Sequence, residues 1–191
     1  MPTLTPWSLV IDAWMALMLY WIVSVFNVKR MKYIAPAHVR FLQLIFLVPG
    51  CLLLFSPRWR VGVLHVSVLP KAAPIEIIGV ALAFLGIAFA IWARYVLGSN
   101  WSSQVAIRED HELIQTGPYR LIRHPIYTGI IAAAWGTAIV AGQLGAFLGV
   151  VLVTMGFAYK GKQEELNLNA IFGESWTAHR QRTGMFLPKL R

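Results

Sequence analysis

The stretch IYTGIIAAAWGTAIVAGQLGAFLGVVLVTMGFAY, residues 126–159, carries no Asp, Glu, Lys or Arg and is divided only by Gly142-Gln143. Two apolar runs, 126–141 and 144–159, that meet at a two-residue joint read as a tight helical hairpin. A membrane helix needs about 20 mostly apolar residues to cross a core of about 30 Å, so this hairpin belongs in a bilayer. Working outward toward the N-terminus, three more runs have the same character. Residues 75–97 are long and carry Arg94 near their end; residues 41–55 are shorter, are interrupted by Pro49-Gly50, and stop at Ser56-Pro57; residues 8–28 hold one acid, Asp12, close to their start. The expectation is an all-α, polytopic membrane bundle of about five transmembrane helices, ending in the hairpin. It forms one domain, 1–191, with N-terminal helices in 1–74 and a motif-bearing core in 75–191.

Composition excludes the main alternatives. Of 191 residues, 58% are hydrophobic and only 13% charged, about half the charged share of a soluble domain, and the mean hydropathy is +0.62. Such a chain is too apolar for disorder. A single cysteine, Cys51, excludes a disulfide framework, and in apolar surroundings it reads as an inert small hydrophobe. A net charge of +9, from 17 Lys+Arg against 8 Asp+Glu, would suit nucleic acid, but the charges lie between apolar runs and form no stripe. The first run is too long for the core of a signal peptide and lacks a basic leader and a small-residue cleavage site, so it reads as a retained span.

Orientation follows from the basic residues. With five spans, 14 of the 17 Lys+Arg fall on one face and Arg58, Arg60 and Lys71 on the other. The N-terminus is therefore expected outside and the C-terminus in the cytoplasm. Without the second span, Lys29 to Arg40 and the segment from Arg94 to Arg123 would lie on opposite faces, so the asymmetry argues for keeping it. Six of the eight acids, Glu109, Asp110, Glu112, Glu164, Glu165 and Glu174, share the basic face. The polar chemistry is thus concentrated in two cytoplasmic segments, 98–125 and 161–191.

Within the first segment, Gly117-Pro118-Tyr119-Arg120-Leu121-Ile122-Arg123-His124-Pro125-Ile126-Tyr127-Thr128-Gly129 is a break followed by a helix start. Pro125 suits the first helical turn, where its missing N–H costs nothing, and a helix N-terminus beside Arg123 is a ready anion site. The competing reading is anchoring, with Arg120 and Arg123 at headgroups and Tyr119 and Tyr127 in the aromatic belt; it leaves His124, between Arg and Pro, unexplained. In the second segment Glu164-Glu165-Leu166-Asn167-Leu168 follows the last span, and its plain reading is the solvated start of a cytoplasmic helix with Lys160 and Glu164 as a surface pair. Phe172-Gly173-Glu174-Ser175-Trp176 and Met185-Phe186-Leu187-Pro188 read as amphipathic and interfacial, sealing a lipophilic pocket or lying on the membrane. Asp12 and Glu76, near helix starts, read as structural. The five histidines show no ligand spacing, and His111-Glu112 fails as a zinc-protease motif because position 115 is Gln115. Gly145 and Gly149 form a G-x-x-x-G close-packing signal. The span centres hold no ionisable residue of the kind a transporter needs.

Taken in order, Leu97-Gly98-x-Asn100-Trp101-Ser102, Leu113-Ile114, Gly117-Pro118-Tyr119, Arg123-His124-Pro125-x-Tyr127-x-Gly129, Glu164-Glu165-x-x-Leu168, Phe172-Gly173 and Phe186-Leu187-Pro188 closely resemble the isoprenylcysteine carboxyl methyltransferase family and its relatives among phospholipid methyltransferases. The likeness covers roughly residues 90–188. It implies an integral-membrane methyltransferase that uses S-adenosylmethionine without a Rossmann domain, with Tyr119, Arg123, His124, Pro125, Tyr127, Gly129, Glu164, Glu165 and Leu168 around the cofactor. Gly129 would let the cofactor approach the backbone, the glutamates would accept from its ammonium or ribose hydroxyls, and His124 and the helix N-terminus would meet its carboxylate. Arg94 or Arg123 would hold an anionic acceptor, an assignment that rests on charge and position.

Methyl transfer is an in-line displacement, so positioning and the exclusion of water supply most of the catalysis. The implied acceptor is a lipophilic molecule or lipid that enters between helices from the bilayer, while the cofactor enters from the cytoplasm. Relatives methylate prenylcysteine carboxylates, phospholipid amines and small thiols. The first is the leading expectation; phospholipid N-methylation and thiol S-methylation stand beside it, and a sterol-reductase-like NADPH enzyme and a non-enzymatic membrane protein stand further off. No nucleic acid and no metal are expected.

Overall fold

In a computed structural model, residues 4–25, 37–98 and 113–189 are described. Six α-helices carry the architecture: α1 (Pro6–Val25), α2 (Ala37–Phe55), α3 (Ala73–Leu97), α4 (Pro125–Ala141), α5 (Leu144–Phe172) and α6 (Glu174–Arg182). No strand is present among the described residues, only two isolated bridges. Four of these helices, α1, α2, α3 and α5, are long and apolar enough to cross a membrane, and α4 is a shorter apolar helix of 17 residues. The all-helical polytopic bundle expected from the apolar runs is the observed fold.

Small residues decide how the helices meet. On α3 and α4, Gly79 faces Gly136 and Gly86 faces Gly129 so closely that a Cβ on Gly86 would lie 2.6 Å from the Gly129 carbonyl oxygen and 2.5 Å from the Ala133 nitrogen. Such an approach maximises dispersion contact between apolar helices that lipid solvates equally well apart. The anticipated close-packing role of Gly145 and Gly149 is also realised: a Cβ on Gly149 would lie 2.8 Å from the Gly50 carbonyl oxygen, and one on Gly145 would strike Arg60 and Leu64. Thus α3 pairs with α4 and α2 with α5, and α4 sits at the centre with ten of its residues buried. Its interior position is why it need not span lipid by itself. The helix α1 lies along α3 and reaches across through Trp14, whose Nε1 donates to Thr137 Oγ1 at 2.9 Å and whose ring meets Phe55 edge-on.

Several boundaries differ from those read in the sequence. Helix α2 runs unbroken through Pro49, because the neighbouring Gly50 is pressed against α5 and packing outweighs one lost hydrogen bond. Helix α5 does not stop at Tyr159: its 29 residues span about 44 Å at 1.5 Å per residue, so it passes the apolar core and carries Glu164 and Glu165 outward on the same rod rather than on a separate helix. Asp12 lies in the second turn of α1, close to the helix start as its sequence position suggests, while Val10, Ala13 and Leu17 turn toward α3 and α4.

The two basic side chains clustered near the α4–α5 turn cap helices. Arg60 donates from Nε to Leu53 O and from Nη2 to Leu54 O, both at 2.7 Å, and from Nη1 to Gln143 Oε1 at 2.6 Å. Lys71 Nζ donates to Val140 O at 2.8 Å. Both cations thus meet the carbonyl-rich, negative end of a helix. Gly142, at φ +68°, closes α4 and makes the joint possible. At the other end of the bundle, where α4 begins and α5 emerges, the polar motifs converge.

Candidate functional site

Construction of the site begins with a strap. After α6 the chain turns back, and Gly184 pairs in parallel with Ile122. Arg123 N donates to Gly184 O at 2.9 Å, His124 N to Met185 O at 3.1 Å, and Thr128 Oγ1 to Phe186 O at 2.8 Å. Two segments 60 residues apart thereby fix the backbone from which Arg123, His124 and Tyr127 project. Pro125 is buried at the first turn of α4, as its chemistry anticipates.

Opposite stands the emerging end of α5. Arg123 Nε donates to Glu165 Oε1 at 2.7 Å, and its Nη1 donates to the Thr183 carbonyl. Tyr127 Oη donates to Glu164 Oε1 at 2.6 Å. The His124 ring lies between the carboxylates, with Nδ1 3.4 Å from Glu164 Oε2 and Nε2 3.4 Å from Glu165 Oε1. Nε2 is fully buried yet makes no hydrogen bond. The ring stacks on Tyr127 at 5.4 Å and 4°, and Tyr127 in turn meets Phe157 at 4.9 Å. Gly161 leaves the space, since a Cβ there would collide with Met185 Cε at 2.6 Å and touch His124.

The charges of this cluster support one another. Burial by itself would push His124 down, but Glu164 and Glu165 outweigh it and hold the imidazole above its ordinary pKa. Burial would raise Glu165, but His124 and Arg123 bring it down to about 2. Burial, and after it the charge of Glu164, pushes the Tyr119 phenol up and keeps it protonated. A guanidinium, two carboxylates and an imidazole biased toward its charged form therefore meet in a cluster flanked by the rings of Tyr127, Phe157 and Phe186. It can accept hydrogen bonds from a cationic group, donate to an anionic one, and stack against a planar one.

Of the residues singled out in the sequence, Arg123, His124, Tyr127, Glu164 and Glu165 come together. Tyr119 is buried beside them against Ala93 and Ile126. Leu168 is half-buried one turn further along α5. Gly129 has a different role from the one expected: it is packed on α3, where a Cβ would lie 2.5 Å from the Gly86 carbonyl oxygen, so its small size serves the helix crossing. Arg94 donates to Gly98 O at 2.7 Å and to Ser24 O at 3.1 Å, securing the ends of α3 and α1 beside the site. Lys160 is no solvated surface residue; its Nζ lies 5.3 Å over the Tyr127 ring and 3.9 Å from Glu164 Oε1. Residues 100–102, 108 and 111–112 lie outside the described residues.

The sequence reading missed Phe157, Thr128, Arg180 and the backbone of 183–186. Phe157, seven residues before Glu164, shares a helical face with it, a signal that was there to read. Arg180, 3.7 Å from Glu165, and the strap depend on a chain reversal that no local pattern announces.

Comparison with known proteins adds an independent line. Residues 78–170 match the isoprenylcysteine carboxyl methyltransferase family. Protein-S-isoprenylcysteine O-methyltransferase B of Arabidopsis thaliana is 28% identical over 113 residues, 58% of this chain and 57% of the relative. Protein-S-isoprenylcysteine O-methyltransferase of Schizosaccharomyces pombe is 32% identical over 94 residues, 48% of this chain and 40% of the relative. Methanethiol S-methyltransferase of Pseudomonas deceptionensis is 33% identical over 73 residues, 38% of this chain and 27% of the relative. The chain spans less than two thirds of the length of each of these relatives.

Proposed function

From the match of residues 78–170 to the isoprenylcysteine carboxyl methyltransferase family, we propose that this protein transfers a methyl group from S-adenosylmethionine to a lipophilic acceptor at the membrane, with a prenylcysteine carboxylate as the leading acceptor. The observation that carries the reading is the meeting of Arg123, His124 and Tyr127 with Glu164 and Glu165 in one buried cluster, with the His124 ring between the two carboxylates. Membrane anchoring would not require two motifs about 40 residues apart to interlock.

The donor set fits the cofactor. Glu164 and Glu165 accept from an ammonium or ribose hydroxyls, His124 and the N-terminus of α4 receive a carboxylate, and Tyr127 and Phe157 offer apolar faces. The bound cofactor supplies an electrophilic methyl group on a sulfonium sulfur. The protein's own work is to orient and to dry the site: Arg123 is locked by Glu165 and the Thr183 carbonyl, and Phe186 and Met185 close one wall. A carboxylate acceptor is already a nucleophile, so no general base is called for. Arg94 or Arg123 would hold it, an assignment that rests on charge and position, since Arg94 donates to Gly98 O and Ser24 O and Arg123 to Glu165 and the Thr183 carbonyl.

The membrane orientation is part of the same reading. With the site end facing the cytoplasm, a reporter after Arg191 reads cytoplasmic and one near Pro70 reads external. The methanethiol relatives favour a second reading, S-methylation of a small thiol with the same cofactor cluster. Titration of S-adenosylhomocysteine and of NADPH into detergent-purified protein, followed by methyl-transfer assays, tests the proposal. S-adenosylhomocysteine is expected to bind and NADPH not to. Binding is expected to weaken about ten- to a hundredfold in His124→Ala and to stay unchanged in Arg120→Ala, an exposed control. Acceptors with a lipid tail are expected to react far better than their head groups. Equal reaction without the tail would move the assignment to the thiol, and binding of NADPH alone would overturn it.

A further inference from the structure

The connection between α2 and α3 contains two short 3₁₀ turns, Pro57–Trp59 and Gly62–His65, and it is tied down along its length. Arg60 is turned inward onto the carbonyls of Leu53 and Leu54 and the side chain of Gln143. Val68 N and Leu69 N donate to Gly142 O at 2.8 and 3.2 Å, and Leu144 N donates to Val66 O at 3.0 Å. Held in this way against the α4–α5 joint, the connection still turns apolar side chains outward: Trp59, Val61, Val63, Val66 and Val68 are each 45% to 68% exposed, and no Asp or Glu occurs from Ser56 to Lys71. A row of exposed apolar side chains marks a surface that meets something other than water.

The depth of this surface follows from α4. Seventeen residues at 1.5 Å each make that helix about 26 Å long, against a hydrocarbon core of about 30 Å. With the ionised cluster at its start near one boundary of that core, its far end, and the connection bonded to it, fall at or just inside the other. Exposed apolar residues on the adjoining helix ends, Leu52 of α2, Ile77 and Ile78 of α3 and Leu144 of α5, continue the lipid-facing surface up to the connection. Its backbone suits a place poor in water, because the amides of residues 59, 60, 64, 66, 68 and 69 all donate to carbonyls of the protein.

We propose that residues 57–69 lie in the bilayer, at the boundary of headgroups and acyl chains in the leaflet remote from the polar cluster, and anchor the bundle there. Trp59 has the amphipathic ring, and the exposed Arg58 the long stem ending in a cation, that such a boundary favours. The inference is independent of the proposed chemistry and of which membrane face is cytoplasmic.

The test uses the full chain in lipid nanodiscs, which leave both membrane faces open to reagents. The single native thiol is removed as Cys51→Ser, and a nitroxide label is attached in turn to Val61→Cys, Val63→Cys and Val66→Cys. Leu85→Cys, halfway along α3, and Gln181→Cys, on α6, are the references. All five positions are exposed, so the label displaces no packed side chain. Collision rates with oxygen, which concentrates among acyl chains, and with a neutral nickel chelate, which stays in water, give a ratio that reads depth. At the three valine positions this ratio is expected to exceed that at position 181 by about threefold or more and to stay below that at position 85. A ratio equal to that at position 181 at all three would put the connection in water and overturn the anchor. A ratio equal to that at position 85 would put it in the hydrocarbon core and overturn its place at the boundary. Low collision with both reagents at all three would show the face covered by protein, a second copy included, and would overturn lipid as its partner.

Discussion

Replacing Glu165 by Gln keeps the shape of the side chain and removes one charge from the centre of the cluster. In the wild type this carboxylate accepts from Arg123 Nε at 2.7 Å and stands 3.4 Å from His124 Nε2 and 3.7 Å from Arg180 Nε. Its pKa falls from 4.5 to about 2, a gap that corresponds to about 3 kcal/mol. The side chain is 12% exposed and its partner Arg180 is 64% exposed, so solvent screening reduces this to about 1.5 to 2 kcal/mol. A group whose folded pKa is depressed contributes fully above its unfolded value and loses that contribution as pH falls through the folded one. The difference between wild type and Glu165→Gln is therefore expected to be level from pH 5 to 7 and to shrink between pH 4.5 and 2. Reversible unfolding in mixed micelles, followed by tryptophan fluorescence across that range, measures it. A difference below about 0.5 kcal/mol at pH 7, or one that persists at pH 2, would refute the claim that Glu165 is held ionised by His124 and Arg123.

His124 has the opposite sign: because Glu164 and Glu165 raise its pKa, its contribution is complete below pH 6.5 and fades as pH rises through the folded value, so wild-type stability should decline toward alkaline pH while His124→Gln stays flat in the same titration. Gly86→Ala puts a methyl group 2.5 Å from the Ala133 nitrogen and should cost about 1 to 3 kcal/mol through helix separation, while Gly62→Ala, in open space, should cost about 1 to 2 kcal/mol through backbone strain at φ +56° alone; their melting temperatures decide. Arg60→Met removes three hydrogen bonds at the end of the bundle remote from the polar cluster and should destabilise by about 3 kcal/mol, with the affinity for S-adenosylhomocysteine of the folded fraction unchanged.

What was legible in the sequence was whatever depends on one segment at a time. The apolar runs fixed membrane helices because a lipid core demands length and composition. The joint at Gly142-Gln143 fixed a hairpin. The kinship of the motif residues with known methyltransferases singled out the side chains that meet, since Arg123, His124, Tyr127, Glu164 and Glu165 bring the donors and acceptors that a charged, planar ligand requires.

Only the tertiary structure decided the relations between segments. Local signals at Pro49 and Tyr159 suggested ends, but α2 and α5 continue because a packed neighbour outweighs a single weak position. Gly129 and Glu164 look alike as motif letters, yet one is consumed by the approach of α3 and the other faces His124, and that distinction depends on which helix lies alongside. The offset between α1 and α3 is likewise set by how Val10, Ala13 and Leu17 fit Ala83, Ile87 and Ala90, which neither segment encodes alone. The strap that holds Arg123 through the carbonyls of Thr183 and Gly184 has no sequence signature at all, because backbone atoms are common to every residue and only the return of the chain brings them there.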